Sequence, residues 1–166
     1  MTMPVSEKNF LERIASHIPG IAGYREREAR RETDRRLREF LAGRLDEGRA
    51  SLNGLRNAAT DAGALDALDP IGRLDRSLQK SVSSLRFADY GYSGVFDQVK
   101  IRETELDAIY AYDAALLADV VGIADRLRAA GGAAIDPAAL AGLAEAALEL
   151  DRKIVRRKEV LEKPRA

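Results

Sequence analysis

YREREARRETDRRLREF, residues 24–40, is the stretch on which the reading of this chain turns. It has no Gly or Pro and only one β-branched residue, Thr33, so its summed propensity favours helix. Acids precede bases by four at Glu26/Arg30, Glu32/Arg36 and Asp34/Arg38, the favourable orientation, each pair contributing ~0.3 kcal/mol. Like charges also meet, at Glu28/Glu32 and Arg27/Arg31, and subtract from that support. Local terms therefore make a helix and leave open what it faces.

The apolar stripe begins where this stretch ends. Leu37, Leu41, Leu45, Leu52, Leu55 and Ala59 recur at helical spacing, with Gly48 filling one step. Carried backwards, the row lands on Asp34, Arg30 and Arg27, so one half of the helix presents charge where the other presents leucine. The favoured expectation is that the charged half is solvated, as charge runs usually are. The sharper one is that it lines a polar pocket or a partner surface.

Outward from this helix the chain reads as one all-α domain over residues 1–166, an antiparallel bundle of four main helices plus a short N-terminal one, with residues 1–5 and 163–166 disordered. Ser6 is a candidate cap for the short helix, whose apolar side is Phe10, Ile14 and Ile18. The long helix is expected over about residues 23–62. Asp69-Pro70 and Asp136-Pro137 read as capping carboxylates followed by a first-turn proline, opening the third and last helices. The third carries Ile71, Leu74, Leu78, Val82 and Leu85, and ends near Arg86; the fourth runs to Ala130, before Gly131-Gly132. Leu140, Leu143, Ala147, Leu150, Ile154 and Leu161 mark the last, whose basic end (Arg152, Lys153, Arg156, Arg157, Lys158) suits a helix C-terminus. Between the third and fourth helices, FADYGYSGVFDQVK (residues 87–100) interleaves aromatics with glycines. It reads as an aromatic plug at one end of the bundle, or as a binding lip offering Tyr90 and Tyr92.

Composition narrows the function classes. Lys+Arg and Asp+Glu number 27 each, which argues against a general nucleic-acid binder. No cysteine is present, so there is no disulfide framework, thiolate metal site or Cys nucleophile. No secretory signal is visible and no apolar run approaches ~20 residues, so a cytoplasmic location without a transmembrane segment is expected. The first helix lacks a basic face, which disfavours membrane-surface contact.

Catalytic signals are sparse. Walker, dinucleotide, G-x-S-x-G and HExxH motifs are absent, and the single histidine, His17, has no Glu three residues before it, so the Glu-x-x-His di-metal constellation is missing. An all-carboxylate Mg²⁺ or Mn²⁺ site could be assembled from Glu26, Glu28, Glu32 and Asp34 with Glu103, Glu105, Asp107 and Asp113, but the neighbouring arginines compete for those oxygens. No cofactor and no metal are expected, and an enzyme is the less favoured reading. The one clear exception to the bundle's rules is Asp113, which stands on the fourth helix's apolar stripe between Ile109 and Leu117, flanked by Tyr110 and Tyr112. It calls for an arginine from the charged helix or a tyrosine hydroxyl.

The candidate ligand or interaction residues are Arg27, Arg30, Asp34, Arg38, Tyr90, Tyr92, Tyr110, Tyr112 and Asp113. The leading expectation is a non-catalytic protein–protein interaction or assembly module, self-associating as a homodimer. Its alternative is a ligand- or divalent-metal-binding bundle, capable of enzymatic work, with a pocket around Asp113.

Overall fold

A computed structural model of the chain describes residues 5–88, 96–98 and 100–162. Those residues form five α-helices and no strand: α1 (Val5–Ala15), α2 (Arg27–Asp61), α3 (Leu68–Arg86), α4 (Glu103–Gly131) and α5 (Pro137–Glu162), with a 3₁₀ turn at Leu65–Ala67 leading into α3. The all-α bundle expected from periodicity is the architecture found.

Helix order around the bundle is α2, α3, α5, α4: α2 packs on α3 and α4, and α5 packs on the same two from the opposite corner. The short connections make antiparallel pairs. Arg38 reaches Leu85 and Arg49 reaches Asp75 across α2/α3, while Lys153 meets Asp119 across α4/α5. α3 ends and α4 begins at the end of the bundle where α2 starts, at opposite corners, so α4 runs parallel to α2. Arg44 pairs with Asp125, Gly48 packs on Ala124 and Leu127, and Gly54 packs on Gly131. Glycine is required at the Gly54–Gly131 contact, which is backbone against backbone, whereas at Gly48 the nearest atom is the tip of a flexible leucine. A Cβ on Gly54 would stand 2.7 Å from the carbonyl oxygen of Gly131, and one on Gly48 would stand 2.9 Å from Leu127.

The stripe Leu37, Leu41, Leu45, Gly48, Leu52, Leu55 and Ala59 is buried throughout, as are the stripes of α3 and α5. α1 lies against α4, its Phe10 and Ile14 buried along with Ile18 of the following turn, and its Phe10 ring 4.8 Å from that of Tyr110. No described helix is long and apolar enough to cross a membrane.

Several local expectations are corrected. α2 begins at Arg27, four residues later than its propensity suggests, because residues 23–26 turn inward to place Tyr24 in the core. Ser6 lies within α1, and Val5, expected to be disordered, is helical; residues 1–4 and 163–166 lie outside the described residues. Asp69 does not cap α3, which continues from the 3₁₀ turn. It sits in the first turn and pairs with Arg73 at 2.8 Å. Asp136 does cap α5, its Oδ1 accepting the Ala138 N–H at 2.9 Å.

A buried ionic cluster as the candidate functional site

At the end where α2 begins, the leucine stripe is replaced by charge. Asp113 is 0% exposed, Arg38 4%, Arg157 6% and Asp34 7%. Their convergence follows from helical register. Asp34 and Arg38 sit one turn apart on the inward face of α2, Asp113 on the inward face of α4, and Arg157 on the inward face of α5 between Ile154 and Leu161. Since α2 and α5 occupy opposite corners, Arg157 spans the bundle interior.

The Arg157 guanidinium donates from Nε to Asp113 Oδ1 (2.6 Å) and from Nη2 to Asp113 Oδ2 (3.0 Å), a two-point pairing of planar groups. Its Nη1 lies 2.7 Å from Asp34 Oδ1, an ion-pair contact out of line for a hydrogen bond. Arg38 Nε donates to Asp34 Oδ2 (2.8 Å), and Arg38 Nη1 donates to the Leu85 carbonyl (2.8 Å) in the last turn of α3. The Tyr24 hydroxyl donates to Asp113 Oδ2 (2.5 Å) and accepts from Arg157 Nη2 (3.2 Å). Two guanidinium groups thus face two carboxylates, and the cluster is neutral as a whole.

The protonation states follow from this geometry. Burial and the adjacent Asp113 carboxylate push the Tyr24 phenol well above its ordinary value, so it stays a donor. Burial would raise the Asp34 carboxyl, but Arg157 and Arg38 outweigh it and hold it below the usual range. Burial would likewise loosen the Arg157 proton, yet Asp113 and Asp34 outweigh it and raise its pKa well above the ordinary value. None of the three is poised to exchange a proton near neutrality.

A second set of contacts holds the inward turn before α2. Gly23 adopts φ +84°, and a Cβ there would come 2.8 Å from the Tyr110 hydroxyl, so glycine is needed on both counts. That hydroxyl accepts the Tyr24 N–H at 2.7 Å. Thr33 Oγ1 donates to the Gly23 carbonyl (2.9 Å), and Arg30 donates to the carbonyls of Tyr24 (2.7 Å), Arg25 (3.2 Å) and Gln98 (2.7 Å). Arg30 therefore satisfies backbone acceptors instead of the Glu26 carboxylate expected from sequence. Phe96 is buried and stacks on Tyr24 with ring centres 5.4 Å apart, one element of the expected aromatic plug.

Of the residues singled out from sequence, Asp34, Arg38 and Asp113 come together, Tyr110 borders them, and Arg30 supports their frame from outside. Arg27 is exposed and stands apart. Tyr112 is half-buried and donates to the Lys153 carbonyl at 2.7 Å, away from Asp113. Tyr90 and Tyr92 lie outside the described residues. The arginine sought for Asp113 comes from α5, not from the charged helix, while the alternative of a tyrosine hydroxyl is met by Tyr24. Arg157 had a signal, since it interrupts an apolar stripe in the way Asp113 does. Tyr24 had none, because it precedes the helix and obeys no helical period. The expectation that the charged half is solvated holds only for its outer residues, such as Glu28, Arg31 and Arg35.

Among the described residues no three acidic or histidine side chains gather as metal ligands, and Asp34 of α2 and Asp113 of α4 are bridged by Arg157. Compared with protein-family models, with curated proteins and with solved structures, the chain matches none of them.

Proposed function

We propose that this chain is a non-catalytic protein–protein interaction or assembly module that pairs with a second copy of itself, and that the ionic cluster serves to fix the bundle's geometry. The observation that carries this reading is the saturation of Asp113 from within the bundle. Asp113 Oδ1 is occupied by Arg157 and Oδ2 by Tyr24 and Arg157, while Arg38 is spent on Asp34 and on the end of α3. A ligand or divalent cation at Asp113 would have to break buried charge-assisted bonds before making its own. Buried charge arrays of this kind can select one helix arrangement over its alternatives, the role assigned to this one.

The surface that fits a second copy is the outer face of α5. Ala141, Leu148 and Val155 recur every seven residues and are exposed, with Glu145 and Arg152 between them and Glu159 beyond. Two such helices laid antiparallel about Leu148 would set Ala141 against Val155, Leu148 against itself and Glu145 towards Arg152, so the face is complementary to itself in shape and charge. Native mass spectrometry and sedimentation of the purified chain test the reading. A dimer that Leu148→Asp and Val155→Asp together convert to a folded monomer is expected. A wild-type monomer, or a dimer indifferent to both substitutions, would overturn it.

A further inference from the structure

At the opposite end from the ionic cluster lies an apolar cavity of about 310 Å³, open to solvent on one side, beside the α4–α5 connection. Its walls are Leu55 of α2, Ile71 of α3, and Leu140 and Leu143 of α5. The volume arises because the α4 end and the connection present alanines, among them Ala130 and Ala133, where larger side chains would fill the space. Its size is at the lower edge of the range that small-molecule sites occupy, about 300–1,000 Å³.

Two charged residues reach this cavity, Arg126 and Asp136. They are not equivalent. The Asp136 carboxylate is engaged as the cap of α5, accepting the Ala138 N–H. Arg126 makes no hydrogen bond or ion pair among the described residues, although the charges around it are matched: Asp125 takes both Arg44 and Arg128. The Arg126 guanidinium lies over Gly142, where a Cβ would come 3.0 Å from Nη2, so glycine on α5 lets the cation lie close to the helix. The cavity thus combines apolar walls with an exposed guanidinium at its edge that no described carboxylate pairs with.

We propose that this cavity binds an aliphatic carboxylate, with the hydrocarbon chain among Leu55, Ile71, Leu140 and Leu143 and the carboxylate paired with Arg126. A guanidinium matches a carboxylate in planar, two-point geometry, and desolvated hydrocarbon supplies the remainder of the affinity. A neutral amphiphile would keep the apolar contribution and forgo the ionic one. The site uses the buried side of α5, through Leu140 and Leu143, and not the exposed residues Leu148 and Val155, so it is tested independently of self-association.

Titration calorimetry of the full chain with decanoate, kept below its micelle-forming concentration, tests the assignment, with 1-decanol as the uncharged comparison. Saturable one-to-one binding of decanoate is expected. Arg126→Gln should weaken it by up to about fivefold while leaving decanol binding unchanged, since an ion pair at an exposed arginine is worth no more than about that factor in affinity. Ala133→Leu, which narrows the cavity from an exposed position, should weaken both ligands. Absence of saturable decanoate binding to the wild-type chain, or decanoate affinity indifferent to Arg126→Gln, would overturn the proposal.

Discussion

Along one face of α2, Asp34 and Arg38 hold the inward positions at one end that Leu45 and Leu52 hold at the other. Both halves are buried to a similar degree, so depth does not distinguish them. Dependence on partners does. A leucine is satisfied by any close-packed apolar neighbour, because burial energy is non-directional and scales with area. A buried carboxylate is tolerated only if specific donors arrive at specific distances. The leucine half therefore needs its neighbours to be merely apolar and near. The charged half needs Arg157 from the diagonal helix, Asp113 from the parallel one and Tyr24 from the turn ahead. The polar end consequently carries information about which helices assemble and in what direction, and the apolar end supplies most of the driving force.

The largest effect should come from the polar end. Asp113→Ala leaves the buried Arg157 with one carboxylate and the Tyr24 hydroxyl with no acceptor, and is expected to destabilise by ~3–5 kcal/mol in urea unfolding followed by circular dichroism. An unchanged midpoint would show that the two halves are not different in kind. Leu52→Ala, at a fully buried position of the apolar end, should cost ~2–5 kcal/mol.

These two variants should differ in their response to pH. Asp34 has a folded-state pKa below its unfolded value, so its contribution is present above the unfolded carboxylate pKa and is lost as pH falls through the folded one. Tyr24 is shifted the other way. Its contribution is full below the ordinary phenol pKa and is lost as pH rises through the raised, folded value. Wild type and Leu52→Ala should therefore share the same acid slope of stability, displaced by a constant. Asp113→Ala should flatten the loss on the alkaline side, because Tyr24 loses the carboxylate that helps raise its pKa. Parallel alkaline slopes in all three proteins would contradict the assigned Tyr24–Asp113 contact.

The smallest effects compare glycines within α2. Gly54→Ala places a Cβ against the Gly131 carbonyl and should cost ~1–3 kcal/mol through overpacking, despite the gain in helix propensity. A Cβ at Gly43 would meet nothing within 4 Å, so Gly43→Ala should stabilise by up to ~1 kcal/mol. Equal melting shifts for the two would mean that α2 and α4 do not approach through Gly54 as described.

Much of this molecule was legible in advance. Stripes of leucine, valine and isoleucine at helical spacing pointed to five helices, and Asp113 on such a stripe marked a buried charge that had to be matched. The same test applied to α5 would have exposed Arg157, hidden because a basic run near a helix end already had a sufficient explanation in the helix dipole. Gly54 and Gly131 were legible as glycines and not as a pair.

What the sequence determined by itself is what local physics can decide: helix propensity, the face each helix buries, the Asp136 cap and the misfit of charge on that face. Tertiary structure alone decided that α4 lies parallel to α2, that Arg157 crosses the bundle to meet Asp34 and Asp113, and that Tyr24 turns in to join them. Those contacts link residues 44 to 133 positions apart in the chain. No periodicity reports on such pairings, because periodicity fixes which way a side chain points and not which other element it meets.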